Sequence, residues 1–295
     1  MQGAGVTQAM ILAAGLGTRL RPLTLELPKP LVPVGDASLL SLSVAGLRAA
    51  GIEDILVNAY HLPGRLQEEV ERLGPGVQLS VEPRVLGTAG GLSFARGRLS
   101  PPLVLCNGDI LAEVPVAGLL AALGEHDAVF AIAPRRVGEG TVGVGAGGEV
   151  CRLRGFRRPG EVSSGDYVGF AVLGRACLDA LPSEGCLIGD WALPALAAGR
   201  SIGTFPLAGS WLDVGSPSAY LEANWSWLRS RGFARLVAQD VEVSPLVELG
   251  RCVVGRGARV LGQGRLEDVV VWPGAVAEAP LRQAVVGARV SVRLE

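Results

Sequence analysis

Three kinds of residue in this chain are suited to handling an anion, and their places are informative. A glycine turn, Gly15-Leu16-Gly17, follows the apolar run Ala9-Met10-Ile11-Leu12. With no Cβ in the way, the backbone N–H groups of such a turn can come close to a phosphate. Arg19 and Lys29 follow soon after. Of the 27 basic residues, Lys29 is the single lysine and the rest are arginine. Arginine fills most surface roles of lysine but does not replace a compact ammonium where geometry is tight. Chance placement of the one lysine so near the turn has odds of about a few per cent, so its position reads as a requirement. Asp109 and Asp213 stand where apolar stretches end, at Cys106-Asn107-Gly108-Asp109 and Trp211-Leu212-Asp213. A single such Asp is usually a turn residue. A pair at strand ends, where the crevices of α/β sheets open, reads as functional.

The elements that must carry these residues alternate. Strands are expected at 9–12, 52–59, 77–81 and 103–106, and helices at 39–50, 62–73 and 88–96, a pattern that implies a mainly parallel sheet covered on both faces. Shorter strands are expected at 128–133, 141–144, 150–153, 167–173, 202–207 and 211–214, with helices at 175–181, 190–198 and 216–231. Ser216 is a good N-cap with Pro217 in the first turn. After residue 235 the texture changes. Val254, Val260, Leu266 and Trp272 recur every six residues with glycines between them, which points to a short parallel β-helix. Two segments are therefore expected, 1–235 and 236–295, with Trp225 and Trp227 of the last long helix packing on the second.

Composition sets the outer limits. With 49% hydrophobic and 19% charged residues the chain has a core and is not disordered. A net charge of -1 gives no electrostatic case for a nucleic acid or an anionic membrane. Met1–Thr7 lacks a basic leader region, and the run Ala9–Ala14 is too short to span a bilayer, so a cytoplasmic protein is expected. The five cysteines form no CxxC pair and read as buried free thiols.

The glycine turn lacks the Walker spacing, and Leu20 occupies the place of the third glycine in a dinucleotide fingerprint. The fuller pattern is more specific. Ala13-Ala14-Gly15-Leu16-Gly17-Thr18-Arg19-Leu20-Arg21-Pro22-Leu23-Thr24, then Pro28-Lys29-Pro30-Leu31-Val32-Pro33-Val34, resembles the signature of the nucleoside-diphosphate-sugar pyrophosphorylases, the sugar-1-phosphate nucleotidyltransferases. Leu86-Gly87-Thr88-Ala89-Gly90, Asn107-Gly108-Asp109 and Trp211-Leu212-Asp213-Val214-Gly215-Ser216-Pro217 extend the likeness to residues 9–231.

That resemblance implies a fold and a set of roles. The fold is a Rossmann-like α/β nucleotidyltransferase domain, glycosyltransferase-A-like, with a short left-handed β-helix of the kind many members carry. The reaction joins a sugar-1-phosphate to a nucleoside triphosphate with release of pyrophosphate. Ala13, Ala14, Gly15, Leu16, Gly17 and Thr18 would hold the nucleotide, Glu82, Gly87 and Thr88 would meet it at the base, and Arg19 would grip the leaving pyrophosphate. Lys29 would sit at the α-phosphate. Asn107, Gly108 and Gly169 would line the sugar, and Asp109 and Asp213 would hold Mg²⁺, a cation satisfied by one or two carboxylates with phosphate and water. The family's Glu-Lys pair that contacts the sugar phosphate is missing here, and Arg157 or Arg158, before Pro159, occupies the comparable region. His61 and His126 read as structural and surface residues.

GTP with mannose-1-phosphate is the leading substrate pair, on overall likeness and on Glu82, which can accept the two adjacent donors of guanine or the single imide N–H of uracil. A uridylyltransferase acting on N-acetylmuramate-1-phosphate or another hexose-1-phosphate is the alternative. From other classes, a non-catalytic NDP-sugar-binding subunit and a dinucleotide oxidoreductase stay open. Homo-oligomerisation through the β-helix is also expected.

Overall fold

The computed structural model describes residues 8–294, so the reading of Met1–Thr7 lies outside the described residues. By compactness the chain divides into two units. One joins the residues up to Gly15 with Ser43–Trp211, and the other joins Leu16–Leu42 with the chain from Leu212 onward. The boundary read at residue 235 marks where the C-terminal coil begins. The compact units are built instead from discontinuous stretches, and the segment bearing Gly17, Arg19 and Lys29 groups with the C-terminal part.

The first unit is organised by one sheet. Its strands are β1 Gln8–Leu12, β2 Asp54–Ala59, β3 Val77–Val81, β4 Leu103–Asn107, β5 Ala128–Arg135, β6 Val142–Val144, β7 Val150–Leu153, β8 Phe156–Arg157, β9 Ser163–Leu173 and β10 Ile202–Pro206. The order is β8-β7-β6-β9-β4-β1-β2-β3, with β5 pairing β9 and β10. β4, β1, β2 and β3 run parallel, and β9 is antiparallel to β4. Continuous apolar runs such as Ala9-Met10-Ile11 are buried throughout, as strands covered on both faces require.

Helices α1 Leu39–Ala49, α2 Pro63–Leu73 and α3 Gly87–Ala95 follow the expected alternation. Helix α4 Val116–Leu123 has no counterpart in the sequence reading. Helix α5 Arg175–Asp179 is short, and the helix expected at 190–198 begins earlier, as a wide π turn over Leu187–Ala192 that runs into α6 Leu193–Ala197.

The second unit holds three 3-10 turns, Thr18–Leu20, Leu23–Leu25 and Lys29–Leu31, then a small hairpin of Pro33–Val34 with Ala37–Ser38, helix α7 Pro217–Ser230, and the coil. The coil is made of β11 Leu236–Val237, β12 Glu242–Val243, β13 Val247–Leu249, β14 Cys252–Val254, β15 Arg259–Val271, β16 Val276–Val286 and β17 Ser291–Arg293. Equivalent sides stack in parallel: Val243 on Val260 on Ala277, and Val253 on Val270 on Val285. Val254, Val260, Leu266 and Trp272 are all buried, which is the origin of their six-residue period.

Helix α7 is laid on this coil by polar as well as apolar contacts. Trp272 Nε1 donates to the Tyr220 hydroxyl at 3.0 Å, and the Arg251 guanidinium lies 4.8 Å from the centre of the Trp225 ring. Trp227 covers Gly35 of the hairpin turn, where a Cβ would stand 2.2 Å from the indole.

Candidate active site

In the second unit, Gly17 adopts a left-handed conformation (φ +60°), and a Cβ there would lie 2.7 Å from Thr24 Cγ2. The Thr24 hydroxyl donates to the Gly17 carbonyl at 2.9 Å, so the loop is folded tightly over Thr24 and only glycine fits. The N–H groups of Leu16, Gly17, Thr18 and Arg19 donate to no other group among the described residues. Gly15 has open space where a side chain would stand. Such a bare run of donors is suited to an anion.

Lys29 lies between two prolines in a 3-10 turn and is 8% exposed. Its Nζ is 3.6 Å from Asp213 Oδ1, and Arg19 Nη2 donates to Asp213 Oδ2 at 3.4 Å. Gly215 makes room for Arg19, since a Cβ there would meet the guanidinium at 2.7 Å. Two cations therefore meet on one carboxylate. Asp213 Oδ1 is buried and accepts no hydrogen bond, which leaves it able to ligate a cation.

The segment carrying Lys29 is held at two points. The Tyr220 hydroxyl, which accepts from Trp272, donates to the Pro33 carbonyl. Glu26 accepts from the N–H groups of Ala288 and Arg289 at 2.8 and 3.0 Å. Asn224 Oδ1 also accepts the Gly35 N–H at 2.9 Å.

In the first unit the residues read as base-binding are brought together around a buried polar group. Glu82 is 3% exposed. Its Oε1 accepts from Asn58 Nδ2 at 2.6 Å and its Oε2 from the Leu86 N–H at 3.1 Å, so each oxygen already has one protein donor. The Ala13 N–H, expected at the nucleotide, is engaged by Asn58 Oδ1 at 2.6 Å, which leaves only its carbonyl for a ligand. Gly87 has φ +81°, and a Cβ there would lie 2.4 Å from the Gly185 carbonyl. The Thr88 hydroxyl accepts the Leu187 N–H at 2.7 Å, so the π turn is fastened to the start of α3.

The residues read as sugar-binding meet at the ends of β1, β4 and β9. Gly108 donates to the Leu12 carbonyl at 2.9 Å, and a Cβ there would lie 2.8 Å from the same oxygen. Gly169 (φ +82°) sits at the register shift between β9 and β5, 2.7 Å from Asn107 Nδ2 as measured from its Cβ position. Both glycines are thus required by close backbone approach. Asp109 follows β4 by two residues and is half-buried.

Arg158 donates to the Leu196 carbonyl at 2.7 Å, while Arg157 is exposed. His126 Nδ1 is paired with Ser201 Oγ at 2.7 Å. Cys106, Cys151, Cys177 and Cys252 are buried free thiols and Cys186 is half-buried; burial pushes Cys106 up to about 12 and Cys252 to about 11. Asn58 is the residue that the sequence reading passed over. Its signal was an amide inside the otherwise apolar strand Asp54-Ile55-Leu56-Val57-Asn58-Ala59.

A parallel sheet, a glycine loop with free N–H groups and two cations gathered on one aspartate define an α/β phosphate-handling protein. The comparisons place it more closely. Residues 8–230 match the nucleotidyl transferase family, and the chain belongs to that family. It is 34% identical over 235 residues to a mannose-1-phosphate guanyltransferase of Schizosaccharomyces pombe, covering 76% of this chain and 65% of that one. The corresponding protein of Yarrowia lipolytica is 32% identical over 264 residues (86% and 73%). The probable mannose-1-phosphate guanylyltransferase 1 of rice is 31% identical over 291 (93% and 79%). The chain thus spans about two thirds to four fifths of the length of these relatives. Among solved structures, HddC from Yersinia pseudotuberculosis complexed with GMP-PN aligns with a TM-score of 0.62 at 20% identity, over 75% of this chain and 99% of that one, and shares the fold. No helix among the described residues is long and apolar enough to cross a membrane.

Proposed function

We propose that the protein transfers GMP from GTP to mannose-1-phosphate, giving GDP-mannose and pyrophosphate. The observation that carries the reading is the Arg19–Asp213–Lys29 cluster, seen together with relatives named for this reaction over most of the chain. A phosphate oxygen of the sugar phosphate forms a bond to the α-phosphorus of GTP, the bond from that phosphorus to the bridging oxygen breaks, and pyrophosphate leaves. Two anions must meet, so catalysis is mainly positioning and charge neutralisation. Arg19 offers a guanidinium fork for the departing pyrophosphate. Lys29, buried and held by Asp213, supplies a fixed point charge for the α-phosphate, and the N–H groups of Leu16–Arg19 cradle the remaining oxygens. Ala14, Gly15, Thr88, Asn107 and Gly169 stay in the proposal as the lining implied by the family resemblance.

Proteins of this family generally use a divalent metal, and Mg²⁺ is the proposed ion. The donor set suits it. Asp213 Oδ1 has no hydrogen-bond partner, and no group of three or more His, Cys, Asp or Glu gathers among the described residues. A cation here would draw most of its ligands from phosphate and water, as Mg²⁺ does. Asp109 and Asp213 are the carboxylates proposed to hold it, and when bound it screens the negative charge of the phosphates.

Pyrophosphate release measured with each NTP, a panel of hexose-1-phosphates and Mg²⁺ tests the reading. GTP with mannose-1-phosphate is expected to give the highest kcat/KM, and a chelator is expected to abolish it. Consumption of UTP alone would replace it with the uridylyltransferase alternative. Binding of an NDP-sugar with no turnover of any pair would make the protein a regulatory subunit. Association through the coil belongs to the same proposal: Leu246, Leu261 and Val276 are exposed apolar side chains on it. A monomeric mass by light scattering would remove that part.

A further inference from the structure

We infer that Asn58 is a positioning residue for base selection: it holds the Glu82 carboxylate as an aligned pair of acceptors and, through its other end, fixes Ala13 at the head of the first loop. The inference rests on the guanine reading above and adds to it a residue that touches no substrate.

Asn58 lies near the end of β2, an interior strand, in register with Leu12 of β1 and Ser80 of β3. It is 3% exposed. An amide buried there is costly unless its polar ends are bonded. Both ends are bonded, and their polarity is determined. The Ala13 backbone N–H can only donate, so the atom facing it at 2.6 Å is the amide oxygen. The NH₂ group therefore faces Glu82, donating to Oε1 at 2.6 Å.

Leu86 N–H supplies the second donor, to Oε2, and the Glu82 backbone is itself anchored by its N–H to the Ala59 carbonyl at 2.8 Å. Gly91 of α3 closes over the pair. A Cβ at that position would stand 2.5 Å from Glu82 Oε1 and 2.7 Å from Asn58 Nδ2, so bare backbone packs on the two side chains and no larger residue fits there.

The consequence is chemical. A carboxylate is an acceptor only, with about two lone-pair positions on each oxygen. Here one position on each oxygen is occupied by protein, and the remaining ones form an acceptor pair of fixed orientation. The Watson–Crick edge of guanine presents N1–H and the 2-amino group side by side, which matches two acceptors. Adenine and cytosine present a ring-nitrogen acceptor at the equivalent place and do not match. Without the Asn58 donor the carboxylate is free to rotate about its terminal torsion, which is soft, and the match is lost although Glu82 is still present.

The test compares kcat/KM for GTP, ITP and ATP in the wild type, Asn58→Ala and Asn58→Asp, with folding followed by thermal melting. ITP lacks only the 2-amino group, so the GTP:ITP ratio reads that one hydrogen bond. Asn58→Ala removes the donor without adding a charge, whereas Asn58→Asp keeps the volume and the acceptor for Ala13 but sets a second carboxyl against Glu82, where the two repel or share a proton. Both variants are expected to lower the GTP:ITP ratio about tenfold, the loss of one well-made hydrogen bond, mainly through KM for GTP. An equal fall for all three nucleotides, an unchanged ratio in a folded variant, or failure of both variants to fold would each reduce Asn58 to an architectural residue and overturn the inference. A wild type that does not favour GTP over ATP and UTP would instead overturn the functional reading.

Discussion

Replacing Lys29 with arginine keeps the charge and changes its shape, and the surroundings of Lys29 allow the effect to be sized. The residue is 8% exposed and sits between two prolines in a 3-10 turn, so the backbone at its root is restrained and little space surrounds the side chain. Its Nζ reaches Asp213 Oδ1 at 3.6 Å while Arg19 occupies the other oxygen, so a second guanidinium would crowd the first. Overpacking of this kind costs about 1–3 kcal/mol. A reacting charge displaced by about 1 Å costs on the order of a hundredfold in rate, and loss of one stabilising group for developing charge costs about 10²–10³. Pyrophosphate release by Lys29→Arg at saturating GTP is therefore expected to fall about 10²–10³-fold. The melting temperature should fall by about 2–12 °C, since about 2–4 °C per kcal/mol applies to chains of this size. A folded Lys29→Arg protein turning over within threefold of wild type would show that the ammonium is dispensable, and the argument from the single lysine would fail with it.

Three further outcomes can be checked. Asp213→Asn removes the charge that holds both Arg19 and Lys29 and weakens a proposed metal ligand; the Mg²⁺ concentration giving half-maximal rate should rise at least tenfold, and an unchanged metal requirement would exclude Asp213 as a ligand. Tyr220→Phe leaves the Trp272 indole N–H and the Pro33 carbonyl without their shared partner, which should destabilise the protein by about 1–3 kcal/mol and lower its melting temperature by several degrees; a melt indistinguishable from wild type would refute the bond's importance. Arg152 and the Ser164 hydroxyl beside Glu161 hold its carboxyl down to about 2, against an ordinary 4.5. A depressed native pKa contributes stability that is complete above about 4.5 and is lost as pH falls toward 2. Glu161→Gln should therefore lose about 1–2 kcal/mol at neutral pH, after allowance for solvent screening, and melt with a flatter pH dependence between pH 5 and 2; parallel curves would disprove the coupling.

The sheet was legible because buried parallel strands announce themselves as short apolar runs, and Ala9–Leu12 and Leu103–Cys106 are such runs. The coil was legible because Val254, Val260, Leu266 and Trp272 all turn inward. Helix α4 escaped notice for a related reason: Val116-Ala117-Gly118-Leu119-Leu120-Ala121-Ala122-Leu123 has no polar face, and without one a helix leaves no period to read. The Arg19–Lys29–Asp213 grouping was expected from its motifs, and the structure supplies the distances. The Ala13–Asn58–Glu82 chain joins three separate stretches of sequence by single hydrogen bonds, and no spacing rule could have linked an amide in β2 to a carboxylate after β3. The sequence offers Glu82 as an acceptor for the base, and only the structure shows that each of its oxygens also serves an internal donor.

The bond from Trp272 to the Tyr220 hydroxyl, which in turn holds the Pro33 carbonyl, and the two bonds received by Glu26 change how the last sixty residues are regarded. They brace the stretch on which Lys29 rides, in the way a keel stiffens a hull from outside the cabin. A chain cut after residue 235 would not be a trimmed enzyme. It would bring Trp225 and Tyr220 out into water and let the lysine drift, and its inactivity would say nothing about whether the tail takes part in the chemistry.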